Sequence, residues 1–377
     1  MLKNTLFYLI IVTGLILLSN CGKNNHETEL NKTKEKMVLI YISANNDLKS
    51  EAISTIKQLQ KGIKNINGSL LVYVKIDQNV SHLLKLKFSS GEKLIADTLK
   101  TYENENSTDP EFFEKVILDS RFFVPAYSYG LVLWSHATSW IPAKKTIKTR
   151  AFGIDNGFEM DLIDLKNSLP DDFEFILFDA CYMGSIEVLY ELRNKAKYLI
   201  SSPAEVLIYG FPYQECASDL FNEEEGLKNI SRKFFNYYSG KSDMHASATI
   251  TLIDALKLRN IAIETKALLK EEKLKNLSSN NVQKLNFQKG SEFISSYDFF
   301  DFFNQNYEKN ELKSLSEALN NAIIYKANTY NFLNIKIKSF SGLSIYFPVE
   351  TNTDYLKIYK NLEWNKDTDW MSYFKLN

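Results

Sequence analysis

Two side chains that could act together in catalysis, a histidine and a cysteine, each follow an apolar stretch of the sequence. His136 ends the run LVLWSH (131–136), and Cys181 ends the run EFILFDAC (174–181). A thiolate is a strong nucleophile, and a nearby imidazole can take up the thiol proton and later give it to a leaving amine. The backbone N–H groups of Ala137 and Cys181 could stabilise the developing oxyanion. The pair predicts nucleophilic catalysis; the alternative is that each is structural, since a lone cysteine at a strand end is usually a small buried apolar residue.

Neighbouring parallel strands would bring these two side chains together. Continuous apolar segments predict buried strands at residues 37–44, 69–77, 129–135, 174–179 and 198–201. Helical patterns separate them, at residues 48–63, 110–120, 160–169 and 183–195. This alternation predicts a mostly parallel α/β sheet with helices on both faces and a ligand site beyond the carboxyl ends of the strands. The helix predicted from Met183 would place Cys181 near a helix N-terminus, where the dipole favours the thiolate.

The N-terminal residues are typical of an export signal. Lys3 precedes the apolar run 5–18, which is too short to span a membrane comfortably. The run ends in Leu-Ser-Asn-Cys, which resembles a bacterial lipobox in which Cys21 is lipidated. The alternatives are a plain signal peptide or an uncleaved anchor helix. We expect an exported bacterial lipoprotein at the cell envelope, at the outer membrane or cell surface.

The chain divides into four predicted segments. Residues 1–20 are the lipoprotein signal peptide, residues 21–36 a polar tether, and residues 37–215 the catalytic α/β core. In residues 216–377 helical periodicity dominates, at 227–238 and 254–274, and strand-like pieces return at 248–253 and 342–348. This last segment is expected to pack on the core and to add strands to it.

Composition and the remaining motifs exclude several classes of protein. The formal net charge is -1 and the basic residues are scattered, which gives no electrostatic case for nucleic acid. No G-x-S-x-G follows a strand and no H-E-x-x-H is present, so a serine hydrolase and a metallopeptidase of that type are disfavoured. Cys181 and Cys216 could form one disulfide in an exported protein, or Cys216 could be a buried residue at a helix start.

The stretches around the histidine and the cysteine resemble those of a known family. LVLWSHATSW (131–140) and ILFDACYMGSIEVLYEL (176–192) are similar to the two signature stretches of the clostripain-like cysteine peptidases, family C11 of the caspase-like clan. Weaker landmarks extend the resemblance over nearly all of the chain after the tether: YISANNDL (41–48), RAFGIDNG (150–157), SSPAEVLIYGFPY (201–213), ATITLID (248–254), SGLSIYFP (341–348) and TDWMSYF (368–374). The resemblance implies a caspase-like fold and a cysteine endopeptidase acting on protein or peptide substrates, with His136 as acid/base and Cys181 as the nucleophile that forms a thioester. We expect a monomer that needs no cofactor.

The resemblance also implies roles for residues outside the dyad. Asp179 matches an acid that lines the S1 pocket and pairs with a substrate Lys or Arg; its alternative role is a helix N-cap. Some members cut themselves in the loop after the histidine, here 140–153, and Arg150–Ala151 is the best-matching bond, although the loop could simply be solvated. Some relatives use calcium, but Asp155-Asn156-Gly157 is too short a signal to define a site.

Two departures from the family pattern keep alternatives open. Ala137 stands where a glycine usually follows the catalytic histidine, and it would distort the oxyanion site if that position required a positive φ. Tyr209 stands where an acid often lines the S1 pocket, and the nearby Glu205 is expected to point elsewhere. A pocket with one acid weakens the inference of basic specificity. The alternatives are a C11-like peptidase with non-basic specificity and an inactive peptidase-fold lipoprotein that acts as a binding or scaffold protein.

Overall fold

The strands predicted from the apolar segments lie at the centre of the structure. The computed structural model of the chain describes residues 35–140, 151–271, 277–287, 296–348 and 353–374. The predicted signal peptide, Cys21, and residues 141–150 with Arg150 lie outside the described residues. None of the described helices is long and apolar enough to cross a membrane.

In the first half of the described chain, helices separate strands or short runs of consecutive strands. The strands are β1 Lys36–Ser43, β2 Gly68–Lys75, β3 Val80–Leu86, β4 Ala96–Glu103, β5 Ser128–Trp134, β6 Phe152–Asp155, β7 Phe158–Met160, β8 Phe173–Asp179, β9 Ala196–Ser201, β10 Thr249–Asp254, β11 Ser296–Asp298, β12 Ile323–Asn328, β13 Asn331–Phe332, β14 Ile335–Lys336 and β15 Ser344–Tyr346. The α-helices are α1 Lys49–Gly62, α2 Pro110–Phe123, α3 Leu162–Asn167, α4 Ile186–Glu191, α5 Tyr213–Cys216, α6 Glu224–Ser239, α7 Leu258–Glu271, α8 Phe299–Asn306, α9 Lys313–Ala322, α10 Thr353–Asn361 and α11 Glu363–Thr368. Short 3-10 helices lie at Ala217–Phe221, Asp243–His245, Ala255–Lys257 and Trp370–Tyr373.

Nine strands in the described part of the chain form one sheet, in the order β12, β10, β9, β8, β5, β1, β2, β3, β4. The five central strands, from β9 to β2, run parallel, and the outer strands pair antiparallel. The predicted mostly parallel α/β fold is therefore confirmed. Because β5 lies between β1 and β8, the strands that carry His136 and Cys181 are neighbours in the sheet.

Each central strand sends alternate side chains to two apolar layers. In β1, Leu39 and Tyr41 belong to the layer formed with α2, α4 and α7. Val38 and Ile40 belong to the opposite layer, formed with α1, α5 and α6. Strands covered on both faces have no polar face, which is why their sequences are continuous apolar runs.

The segment after β8 differs from the prediction. The predicted helix 183–195 is confined to α4, which begins at Ile186 with Ser185 as its N-cap; the Ser185 Oγ accepts from the Val188 N–H at 3.3 Å. Tyr182 has a left-handed φ of 61°, and a Cβ on Gly184 would lie 2.5 Å from the backbone nitrogen of Pro203. Tertiary contacts thus hold this segment in a turn. The prediction that Cys181 lies at the N-terminus of a helix is wrong.

The predicted tether ends one residue too late. Lys36 is the first residue of β1 and is buried, and its Nζ donates to Glu174 Oε1 at 2.8 Å and to the Asn222 carbonyl at 3.1 Å. The ordered domain therefore includes Lys36.

The C-terminal segment packs on the core around a buried carboxylate. Glu187 of α4 accepts hydrogen bonds from the Tyr346 N–H and from the Tyr359 hydroxyl, each at 2.9 Å. The Trp140 ring packs edge-on against the rings of both tyrosines, with centroids 5.0 and 4.9 Å away. Burial raises the pKa of Glu187 to about 7. The C-terminal segment also contributes β10 and β12 to the main sheet, so it shares both the sheet and a core with the first half of the chain.

Candidate active site

His136 and Cys181 line one cleft at the carboxyl ends of β5 and β8. The cleft has a volume of about 330 Å³. The register of β5 with β8, which places Trp134 opposite Asp179, sets the two chain segments side by side as they leave the sheet. The residues lining the cleft come from five parts of the chain: Asp47, Leu48, Trp134, Ser135, His136, Asp179, Ala180, Cys181, Glu205, Val206, Leu207, Ile208, Gly210 and Leu333.

The Cys181 thiol is neutral at rest and is hydrogen-bonded to the backbone of Val206. The Val206 N–H donates to Sγ at 3.3 Å, and Sγ donates to the Val206 carbonyl at 3.6 Å. Burial of the sulfur raises the pKa of Cys181 to about 12, and the charges of Glu205 and Asp179 act in the same direction. This is opposite to the lowering expected from a helix dipole, because the turn at Tyr182 separates the thiol from α4 and because desolvation disfavours the anion.

Both described cysteines are free thiols. Cys181 is partly exposed as a residue, and Cys216 is buried in α5. The alternative of a disulfide between them is wrong, and Cys216 is a buried residue of the second apolar layer.

His136 is held by the carboxylate of Asp47, a residue that no sequence motif indicated. Its Nε2 lies 2.8 Å from Asp47 Oδ1, and this hydrogen bond lowers the pKa of Asp47. The N-cap position of α1 is Leu48, whose N–H donates to Asn46 Oδ1 at 2.8 Å. The available signal was the position of Asp47, just beyond the end of a strand; that this strand neighbours β5 was not predicted.

Ala137 lies in regular backbone. It forms an isolated antiparallel bridge with Phe152, in which Gly153 N–H donates to the His136 carbonyl at 3.0 Å. The left-handed residue of this loop is Ser139, with φ of 67°, and not Ala137. The substitution of alanine for glycine therefore requires no strained backbone here, and the oxyanion role of Ala137 and Cys181 stays a prediction.

Asp179 is fixed at the base of the cleft. Its Oδ2 accepts from the Tyr213 hydroxyl at 2.9 Å and from the Phe211 N–H at 3.3 Å. Gly210, with φ of 58°, permits this approach, since a Cβ there would lie 2.9 Å from Oδ2. Burial raises the pKa of Asp179 to about 6, and the two hydrogen bonds only partly oppose that effect. The alternative role as a helix N-cap is wrong, because Ser185 caps α4.

Glu205 and Tyr209 lie differently from what the sequence predicted. Glu205, expected to point elsewhere, is one of the residues lining the cleft, and its Oε1 accepts from the Tyr182 hydroxyl at 2.5 Å and the Phe287 N–H at 3.1 Å. The structure does not bring Tyr209 into the cleft. The Tyr209 hydroxyl lies 3.3 Å from His245 Nδ1, and its ring lies under the Lys241 ammonium at 4.5 Å.

The residues that follow the predicted cleavage bond, from Ala151 onward, begin inside the fold. Ala151 is buried, and its N–H donates to the Met160 carbonyl at 2.8 Å. Asp155 is also buried: its carboxylate accepts from the Asn45 amide at 2.6 Å and from the Ser107 N–H and hydroxyl at 2.6 and 2.9 Å. These bonds hold the segment that contains Asp155 against the end of β1 and the start of α2. In the described ranges, no group of three or more His, Cys, Asp or Glu side chains is arranged to hold a metal ion.

The chain is similar in sequence and in fold to known cysteine peptidases. The sequence model described as the clostripain family, peptidase C11, matches residues 40–376. Clostripain of Hathewaya histolytica is 24% identical over 221 residues, which are 49% of this chain and 42% of clostripain, so the chain spans less than half the length of that relative. A secreted C11 cysteine protease from Bacteroides thetaiotaomicron, solved with an irreversible peptide inhibitor, is similar with a TM-score of 0.79 and 26% identity over 90% of this chain and 100% of that one. An inactive zymogen C11 protease from Parabacteroides distasonis is similar with a TM-score of 0.75 and 31% identity over 89% of this chain and 99% of that one.

Proposed function

Because the chain belongs to the clostripain family, peptidase C11, we propose that it is a cysteine endopeptidase acting on protein or peptide substrates through His136 and Cys181. The observation that carries the proposal is that an imidazole, a thiol and a buried carboxylate, Asp179, line one cleft at the carboxyl ends of adjacent parallel strands. In such sheets this is where ligands bind.

The reaction follows from these groups. Cys181 Sγ attacks the carbonyl carbon of the scissile bond while its proton passes to His136, and the oxyanion is held by the N–H groups of Cys181 and Ala137. The C–N bond breaks as His136 gives that proton to the leaving amine, which leaves a thioester. Water, deprotonated by His136, then attacks the thioester carbonyl; the C–S bond breaks, the carboxylic acid product leaves, and His136 returns the proton to Cys181 Sγ. With a pKa of about 12, almost no thiolate is present at neutral pH, so fast attack on a peptide bond depends on the imidazole taking up the proton.

We assign the preference for Arg or Lys before the scissile bond to Asp179. The carboxylate is buried and already bonded to Tyr213 and Phe211, so its orientation is fixed before substrate arrives. A guanidinium or ammonium entering the pocket would compensate a charge whose desolvation is costly. Glu205 on the cleft wall adds negative potential, which supports basic specificity although Tyr209 is not an acid.

The uncut chain is proposed to be a latent form that processes itself at Arg150–Ala151. A neutral thiol bonded to Val206 supports low reactivity before processing. The Met160 carbonyl holds Ala151 on the far side of that bond, so the new terminus would stay attached to the fold.

The location of the protein is proposed from its first residues. The lipobox-like ending at Cys21 supports an exported lipoprotein anchored at the cell envelope. The similar protease from Bacteroides thetaiotaomicron is described as secreted, which is consistent with export.

A cleavage map tests the proposal. A soluble form beginning at about Asn24 and the same form with Cys181→Ala are incubated with a diverse peptide mixture, and new termini are identified by mass spectrometry. We expect cuts after Arg and Lys that are absent from the Cys181→Ala sample. Cuts after other residues would retain the mechanism and refute Asp179 as the basis of specificity. A folded protein that cuts neither the mixture nor its own 140–153 loop would instead indicate an inactive peptidase-fold binding protein.

A further inference from the structure

The side chain of His136 is hydrogen-bonded to a carboxylate in the turn that follows the neighbouring strand, β1. His136 Nε2 and Asp47 Oδ1 are 2.8 Å apart. Hydrogen bonding to His136 is the largest cause of the lowered pKa of Asp47, so this carboxylate is ionised at neutral pH. An ionised carboxylate can only accept hydrogen bonds. Nε2 must therefore carry the proton of the neutral imidazole, and the lone pair is on Nδ1.

The backbone around Asp47 is fixed, although the carboxylate itself is exposed. The Ser135 hydroxyl donates to the Ser43 carbonyl at 2.6 Å, which ties the end of β1 to the end of β5. The side-chain amide of Asn46 donates to the Ile154 carbonyl at 2.7 Å. These bonds hold the turn that presents Asp47 to His136.

We propose that Asp47 is a positioning residue for the peptidase reaction, whose carboxylate accepts the Nε2–H of His136 and so leaves Nδ1 to exchange a proton with Cys181. This inference rests on the proposed function. The bond fixes both the tautomer and the direction of the ring, and the carboxylate stabilises the imidazolium that forms when the thiol is deprotonated. Asp47 itself does not touch the reacting atoms.

We expect the loss of the Asp47 carboxylate to lower kcat only moderately, because water competes with His136 for hydrogen bonds to an exposed carboxylate. Replacing the buried aspartate of a serine-protease triad lowers kcat by about 10⁴. The Asp47 side chain is 81% exposed and that of His136 35% exposed. An exposed ion pair contributes little, and the loss of a single imidazole tautomer adds to the effect, so we expect Asp47→Ala to lower kcat roughly 10-fold with KM unchanged.

Three variants of the mature chain separate positioning from a general effect of charge. Asp47→Ala removes the acceptor, and Asp47→Asn retains an oxygen that can accept from Nε2–H and should restore part of kcat. Glu51→Ala is the matched control, since it removes another carboxylate near the start of α1 that bonds Ser50 and does not line the cleft. A kcat for Asp47→Ala equal to that of Glu51→Ala overturns the proposal, as does a loss expressed only in KM.

The imidazole tautomer is measured separately, so that the result does not depend on turnover. Nitrogen-15 NMR of the Cys181→Ala protein, with the His136 signals assigned from a His136→Gln spectrum, should show the Nε2–H tautomer. Asp47→Ala should give a mixture of tautomers. An unchanged tautomer in Asp47→Ala overturns the proposal even if kcat falls, and a protein without peptidase activity would still be informative by this measurement.

Discussion

Replacing Asp179 by asparagine should stabilise the protein at neutral pH while weakening the proposed basic specificity. The carboxylate is 5% exposed, and its Oδ2 accepts from Tyr213 and Phe211. An amide oxygen at the same place retains both hydrogen bonds and removes the buried charge. Burial raises the pKa from 3.8 to about 6, and this difference corresponds to about 3 kcal/mol. We expect Asp179→Asn to gain up to about that much stability at pH 8.

The sign of the pH dependence follows from linkage. A carboxyl group with a raised pKa binds its proton more tightly in the folded state than in the unfolded state. The stability that this proton contributes is complete below pH 3.8 and is lost as the pH rises through about 6. The advantage of Asp179→Asn should therefore be small at pH 4, grow between pH 4 and 6, and be nearly constant above pH 7.

Urea unfolding in the Cys181→Ala background measures this difference without self-cleavage. In thermal unfolding of a domain of roughly 340 residues, the same difference of about 3 kcal/mol corresponds to a rise in Tm of roughly 4 °C. Asp77→Asn, in an exposed turn where the Asp77 carboxylate accepts only from Asn79 among the bonds described, controls for removal of one charge. A variant that is less stable at every pH, or more stable by an amount that does not change with pH, would refute the assignment of a strained buried charge. In the active protein, Asp179→Asn should reduce kcat/KM for Arg substrates more than for neutral ones.

Three other predictions concern the thiol, the C-terminal segment and the anchor. In the uncut protein, iodoacetamide should modify Cys181 slowly at pH 7 and about tenfold faster per pH unit up to pH 10, because the pKa of the thiol is raised to about 12. Peptide mass spectrometry measures the rate of modification, and a rate that levels off below pH 9 would contradict this prediction. Glu187→Ala leaves the Tyr346 N–H and the Tyr359 hydroxyl without their buried acceptor and should lower the free energy of unfolding by about 2–4 kcal/mol; an unchanged urea midpoint would contradict it. Cys21→Ala should move the protein from the membrane fraction to the soluble fraction on immunoblots, whereas retention would favour an uncleaved anchor.

The central strands could be predicted from the sequence because burial on both faces leaves a simple pattern. β1, β5 and β8 appear as unbroken apolar runs within one or two residues of their true ends. β3 and β4, the last two strands on one side of the sheet, were missed because they pair antiparallel and are only partly buried. β4 has a mostly exposed sequence, ADTLKTYE, with no continuous run to detect.

The sequence could predict the site residues that simply follow the end of a strand. It could not predict the contacts that depend on the order of the strands in the sheet. His136 and Cys181 follow from the ends of β5 and β8. The pairing of Asp47 with His136 requires that β1 lie beside β5, and the turn at Cys181 requires the contact of Gly184 with Pro203. Such contacts join residues far apart in sequence, so local pattern could not show them.

The direction of β1 has a consequence for where the protein can act. The chain enters the sheet at Lys36 and reaches the cleft end after eight residues, about 26 Å away. The entry point and the cleft are therefore on opposite ends of the domain. If lipid holds Cys21 at a bilayer, the roughly 14 residues before Lys36 could extend up to about 50 Å. The length of that tether, more than the shape of the cleft, would then decide which neighbouring proteins the cleft can reach. Shortening or lengthening the tether would change the set of substrates without altering a residue of the site.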